Sequence, residues 1–344
     1  MCPQMNANKR QSKTYRRFHL RSLAFICGLF YAGIADAAEL LNASYDVARG
    51  LYKELNPAFA AQWHQQTGET VTINQSHGGS GKQARAVIDG LEADVVTMNS
   101  PLDVDAIADA GLLPKDWAKQ FPDDSSPSWS AIVFVVRQGN PKGIHDWNDL
   151  ARPGVQVILP NPKTSGNGRY SYLAAWQYAR TRPGAGDAEA LAFEKQLLAN
   201  VPVLDGGGRE ATTTFAQRGL GDVLLTFESE ARLIQSDFGA GRYETVIPSL
   251  TVRADNPVAV VAKVAGQHHS TALAQAYLQF HYSPAAQQIF LRNGLRPADP
   301  KALEGHPEFP PLRTFTVAQA FGGWPQAQAR HFADGGSFDQ AARR

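Results

Sequence analysis

The chain has 344 residues, 33 Lys and Arg against 32 Asp and Glu, a formal net charge of +1 and two cysteines. That length is enough for two domains that each bury a core, and the near-neutral balance gives no electrostatic case for binding nucleic acid. Both cysteines, Cys2 and Cys27, lie in the first 37 residues, so the remainder has no disulfide, thiolate metal site or cysteine nucleophile.

Lys9, Arg10, Lys13, Arg16, Arg17 and Arg21 form a basic region ahead of an apolar run from Leu23 to Ile34, and Ala35-Asp36-Ala37 has the small-residue pattern of a cleavage site. Residues 1–37 therefore read as a secretory signal peptide, the apolar run being too short to span a bilayer. Arg16-Arg17 leaves the export route, general or twin-arginine, open. Removing this segment leaves 27 basic against 31 acidic residues, a net charge of about −4. An anion ligand would then have to be held by local dipoles rather than by net charge.

In chain order, Glu39 to Tyr45 reads as a strand, Val47 to Gln66 as a helix interrupted near Asn56-Pro57, Val71 to Ile73 as a strand, Gly81 to Asp89 as a helix and Ala93 to Met98 as a short buried strand. A short helix over 105–110 and a proline-punctuated connection over 114–127 lead to a strong strand, Ser130 to Arg137. A second alternating unit follows: strand Val155 to Leu159, helices Arg169 to Arg182 and Ala188 to Asn200, strand Val201 to Leu204, helix Arg209 to Arg218 and strand Asp222 to Phe227. The run Val258 to Val264 and helices Thr271 to Tyr282 and Pro284 to Leu291 complete the pattern. Strands alternating with helices predict α/β domains built on mainly parallel sheets. The strong strands near 130 and 258 read as crossings, giving a discontinuous first domain (38–130 plus 256–344) and a second domain over 131–255.

Three stretches share one design, a β-rich run passing through a Gly/Ser/Asn loop directly into a helix start: 71–90, 155–178 and 201–219. Each loop offers unpaired backbone N–H groups at the positive end of a helix dipole. Alone, each is explained as a turn with an ordinary N-cap. Three in one chain, one of them carrying the run Gly206-Gly207-Gly208, favour a shared anion. The loop 76–82 (SHGGSGK) is not a Walker A motif, because Ser76 replaces the first Gly and Gln83 the final Ser or Thr, and Ser80 is not in a G-x-S-x-G elbow.

The histidines show no metal-ligand spacing, so neither a metal nor a cofactor is expected. Glu228 and Glu230 could form an acid/base pair but read more simply as solvated residues. No Ser/His/Asp set argues for hydrolysis, and no enzyme activity is expected.

The runs LNASYD (41–46), QSHGGSGKQ (75–83), RQGNPKGIHDWNDL (137–150), 161–176, GLGDVLLTFESE (219–230) and FGGWPQAQARHF (321–332) are similar to those of the periplasmic sulfate- and thiosulfate-binding proteins of ABC transporters. The resemblance implies a two-domain, type II venus-flytrap fold with the ligand cleft between the domains. It also implies a periplasmic, monomeric protein that delivers its anion to a membrane ABC permease. Carried onto this chain, the family's anion-holding positions are Ser80, Ser165, Gly166, Asn167 and Gly208, with Asp46 as a nearby organiser.

Three departures bear on the ligand. Phe227 stands where sulfate-specific relatives use a Trp, Asn167 where they have Gly, and Glu210 where Gly is usual; the first two resemble the thiosulfate-binding branch. Thiosulfate carries a larger sulfur that accepts hydrogen bonds poorly, so an apolar face suits it better than a donor. Thiosulfate and sulfate are the expected ligands, with another tetrahedral oxyanion (phosphate or molybdate), or a sulfur-transfer or hydrolytic enzyme, as alternatives. Against phosphate the deciding residue is Asp46. If loop N–H groups occupy its carboxylate, hydrogen phosphate finds no acceptor for its own O–H.

Overall fold

The computed structural model describes residues 38–239 and 241–343, so the segment expected to be a signal peptide and both cysteines lie outside the described residues. The chain begins with β1 (Ala38–Tyr45), β2 (Val71–Gly78) and β3 (Val95–Thr97). All three run parallel with β1 in the centre, Tyr45 opposite Gly78 and Ser44 opposite Thr97. This register brings the carboxyl ends of the strands to one edge, so the turns at Asp46, Gly79 and Asn99 emerge together.

The chain then crosses to a larger, mixed sheet through β4 (Ser128–Arg137). There it forms β5 (Val157–Pro160), β6 (Leu204–Asp205), β7 (Val223–Phe227), β8 (Tyr243–Val246) and β9 (Thr251–Asn256). β5 is parallel to β6 and β7, with Pro160 opposite Asp205, whereas β4 is antiparallel to β7, β8 and β9. After β9 only Pro257 intervenes before β10 (Val258–Val260), which pairs antiparallel with β3 back in the first sheet.

Period-two alternation explains why each sheet is covered on both faces. Along β4, Ile132, Phe134 and Val136 face a core with Trp147, Leu173, Trp176 and Phe193, while Val133 and Val135 face a second core with Phe215, Ile234 and Tyr243. In the first sheet, Leu40 joins Leu55, Phe59, Tyr277 and Phe290, and Ala43 joins Val96, Ile107 and Trp117 on the opposite face. Two sheets with separate paired cores make two α/β lobes.

Several boundaries differ from the sequence reading for physical reasons. Arg49–Thr67 is one continuous helix with Pro57 inside it; Leu51, Leu55 and Phe59 on its buried face hold it across the proline. The run 258–264 is split, since Ala262–Gln267 is helical. The last segment was expected with the first sheet. It rejoins the second instead: β11 (Arg296–Pro297) pairs with β4, β12 (Thr314–Phe315) with β9, and Phe315, Trp324, Phe332 and Phe338 pack into the core around Trp147 and Trp176.

Candidate anion-binding site

At the facing edges of the two sheets, three helices start within contact of one another. Ser80 opens the Ser80–Ile88 helix of the first lobe. Gly166 opens the Gly166–Arg180 helix of the second, with Ser165 as N-cap, its hydroxyl accepting from the Gly168 N–H at 3.5 Å. Gly208 opens a helix over Gly208–Thr212 that continues as a π-turn to Gln217. Each start carries roughly half a positive charge, so about +1.5 is directed here from backbone atoms, with the Gly168 N–H met by Ser165 and the Arg209 N–H by Asp46.

The glycines permit this closeness. A Cβ at Gly79 would stand 2.9 Å from the Gly206 carbonyl oxygen and 3.0 Å from that of Thr164, joining the first-lobe loop to both second-lobe loops. At Gly207 a Cβ would stand 2.5 Å from Asp46 Oδ2. Any larger residue at either position would push the lobes apart. Thr164 ties the two second-lobe loops together, its hydroxyl donating to the Gly206 carbonyl at 3.0 Å.

Asp46 follows β1 directly. Its Oδ1 accepts the N–H of Val47 at 3.0 Å and its Oδ2 accepts the N–H of Arg209, in the opposite lobe, at 3.0 Å. Burial pushes its carboxyl pKa up, and these two N–H groups pull the other way. The carboxylate is thus occupied by backbone donors.

Ser80 and Ser165 are buried, and so is Asn167, whose side chain is turned to its own lobe. Its Nδ2 donates to Thr226 Oγ1 at 3.2 Å and its Oδ1 accepts from Ser171 at 3.2 Å. That bond fixes the end of β7, where Phe227 is 2% exposed with its ring 6.2 Å from Tyr170, edge to face. Ser80, Ser165, Gly166, Asn167, Gly208 and Asp46 therefore come together around the converging loops, whereas Phe227, one residue beyond Thr226, has its ring in the second-lobe core against Tyr170.

Sequence reasoning missed the residues after β3. Asn99 donates its N–H to Ser80 Oγ at 3.4 Å, and its own Oδ1, buried and without a partner, lies against Gly166. Asp103 and Arg169 form a buried ion pair between the lobes at 2.8 Å, the side chains only 5% and 7% exposed. One signal was available: Arg169 is a cation in the first turn of a helix, where the dipole disfavours it unless a carboxylate faces it.

Glu228 and Glu230 were read as solvated and are not; both are buried. Glu228 pairs with buried Arg296 at 2.7 Å and 3.0 Å. Glu230 accepts from Thr212 at 2.6 Å and lies 3.3 Å from Arg209. Burial pushes the Glu230 carboxyl up to about 7, against the opposing effects of the Thr212 hydroxyl and Arg209.

A fold of two α/β lobes with an interlobe cluster of helix N-termini is that of a solute-binding protein, and the chain belongs to the bacterial extracellular solute-binding protein family, whose model matches residues 42–296. It is 54% identical over 316 residues to a thiosulfate-binding protein of Pseudomonas aeruginosa, covering 91% of this chain and 95% of that one. It is 51% identical over 312 residues to a sulfate-binding protein of Salmonella typhimurium, covering 90% and 95%. Among solved structures, the sulfate-binding protein SubI from Mycobacterium tuberculosis matches with a TM-score of 0.78 at 33% identity, over 85% of this chain and 98% of that one.

Proposed function

We propose that this protein captures thiosulfate and sulfate in the periplasm, as a monomer, and delivers them to a membrane ABC permease, without catalysing a reaction. The anion is held by the N–H groups of Ser80, Gly166, Asn167 and Gly208 and the hydroxyls of Ser80 and Ser165, with Phe227 facing its less polar end. The first lobe comprises residues 38–127 and 257–295 and the second 128–256 and 296–343, so closure brings Ser80 towards Ser165 and Gly208.

The observation that carries the ligand class is the state of Asp46. With both its oxygens accepting backbone N–H groups, Asp46 is engaged and the carboxylate is not offered to the ligand, which suits a fully ionised dianion and penalises hydrogen phosphate; the neutral acceptor beside Gly166 is Asn99 Oδ1. Relatives named for thiosulfate and for sulfate both lie close in sequence. The buried apolar ring of Phe227 favours thiosulfate between them, because its terminal sulfur loses little where no donor is offered.

Isothermal titration of the purified protein with thiosulfate, sulfate and phosphate tests this. Thiosulfate binding at least as tightly as sulfate, with no saturable heat from phosphate, is the expected result. Tight sulfate binding with none for thiosulfate would contradict it.

A further inference from the structure

At the outer edge of the site two opposite charges meet across the lobes. Lys82 stands two residues after Ser80 and Glu210 two residues after Gly208, so each rides on the same turn as a helix-start N–H group. Lys82 Nζ is 3.7 Å from Glu210 Oε1, with the side chains 51% and 60% exposed. Glu210 Oε2 meanwhile accepts the N–H of Gly206 at 2.7 Å, holding the glycine loop, and Lys82 Nζ lies against Gly206. The pair thus ties the first-lobe turn to the loop that the second lobe contributes.

We propose that Lys82 and Glu210 are positioning residues that latch the closed form, so that anion affinity depends on this pair and falls with salt. The inference rests on reading the site as an anion cleft. Separation of the lobes beyond about 8 Å would leave the two charges screened at physiological ionic strength, so their attraction counts only when the cleft is shut. The two partners are not equivalent. Lys82 attracts the dianion as well as Glu210, whereas Glu210 repels the dianion and sits beside the carboxylates of Asp46 and Asp205. Burial pushes both of those carboxyls up first, and Glu210 adds to the shift. Arg209 does not substitute for Lys82, because its guanidinium is held by Glu230 and Asp237.

The test is a double-mutant cycle on thiosulfate Kd with Lys82→Met, Glu210→Gln and the double variant, at low and at high NaCl; Gln keeps an oxygen for the Gly206 N–H. The expected result is a coupling of roughly two- to fivefold at low salt, shrinking at high salt, with Lys82→Met weaker in binding than Glu210→Gln. Independent effects that simply multiply at both salt concentrations would overturn the latch and leave Glu210 as a loop support only. Wild-type protein that binds neither thiosulfate nor sulfate would overturn the reading of the site and the latch with it.

Discussion

Asp46 of the first lobe accepts the backbone N–H of Arg209 of the second at 3.0 Å. One hydrogen bond thereby removes an acceptor from the cleft and joins the two walls. Replacing Asp46 by Ala strands the Arg209 and Val47 N–H groups. A hydrogen bond with a charged partner is worth about 1.5–3 kcal/mol, so thiosulfate affinity should fall by roughly ten- to a hundredfold. Titration calorimetry reads this directly; unchanged affinity would mean that Asp46 organises nothing.

The Asp103–Arg169 pair makes the second prediction. Breaking a buried pair by removing one partner costs about 3–5 kcal/mol, but here the lobes can open and rehydrate Arg169. The penalty should therefore appear in closure rather than in folding. Asp103→Ala is expected to weaken thiosulfate binding at least about tenfold while leaving the melting temperature of the unliganded protein nearly unchanged. A large drop in that temperature with normal affinity would assign the pair to stability instead.

In the proposed reading Phe227 biases the site towards thiosulfate over sulfate. Phe227→Trp introduces an indole N–H at the end of β7. If it reaches the ligand, sulfate affinity should rise by about tenfold or more, the worth of one hydrogen bond to a charged group, and thiosulfate should gain less. The ring is buried against Tyr170, so overpacking of about 1–3 kcal/mol should lower stability. Competition titrations separate the two effects, and a Trp variant that leaves the sulfate-to-thiosulfate ratio unaltered would remove Phe227 from the specificity argument.

Glu230 gives a pH prediction with a definite sign. Its carboxyl titrates near 7 in the folded protein against about 4.5 when free. The folded state therefore binds its proton more tightly than the unfolded state. The stabilisation is fully present below pH 4.5 and is lost as the pH rises through 7. At about 1.4 kcal/mol per unit this is at most about 3.5 kcal/mol. Urea unfolding at pH 5 and pH 8 should show the wild type losing more stability across that interval than Glu230→Gln; equal losses would place the titration elsewhere.

The loops of the candidate site were legible as loops because glycines and caps beside apolar runs carry a local signal. Ser80, Ser165 and Gly208 each mark a helix start that could be found without knowing what lay opposite. The lobe partnership of Arg296 and the C-terminal segment was not legible, since two-residue strands such as Thr314–Phe315 are too short to show periodicity. Their place is set by tertiary pairing alone. Glu228 and Glu230 were misread for a related reason: a carboxylate reads as solvated until its distant partner, Arg296 or Thr212, is known. Asp103 with Arg169 likewise meets only when the lobes face each other.

The most direct measurement is a crystal structure of the protein with thiosulfate bound. The expected result places the anion's oxygens about 3 Å from the N–H groups of Ser80, Gly166 and Gly208, with its terminal sulfur towards Phe227 and Asp46 still bonded to Arg209. An anion held chiefly by Lys or Arg side chains, or seated away from these three helix starts, would contradict it.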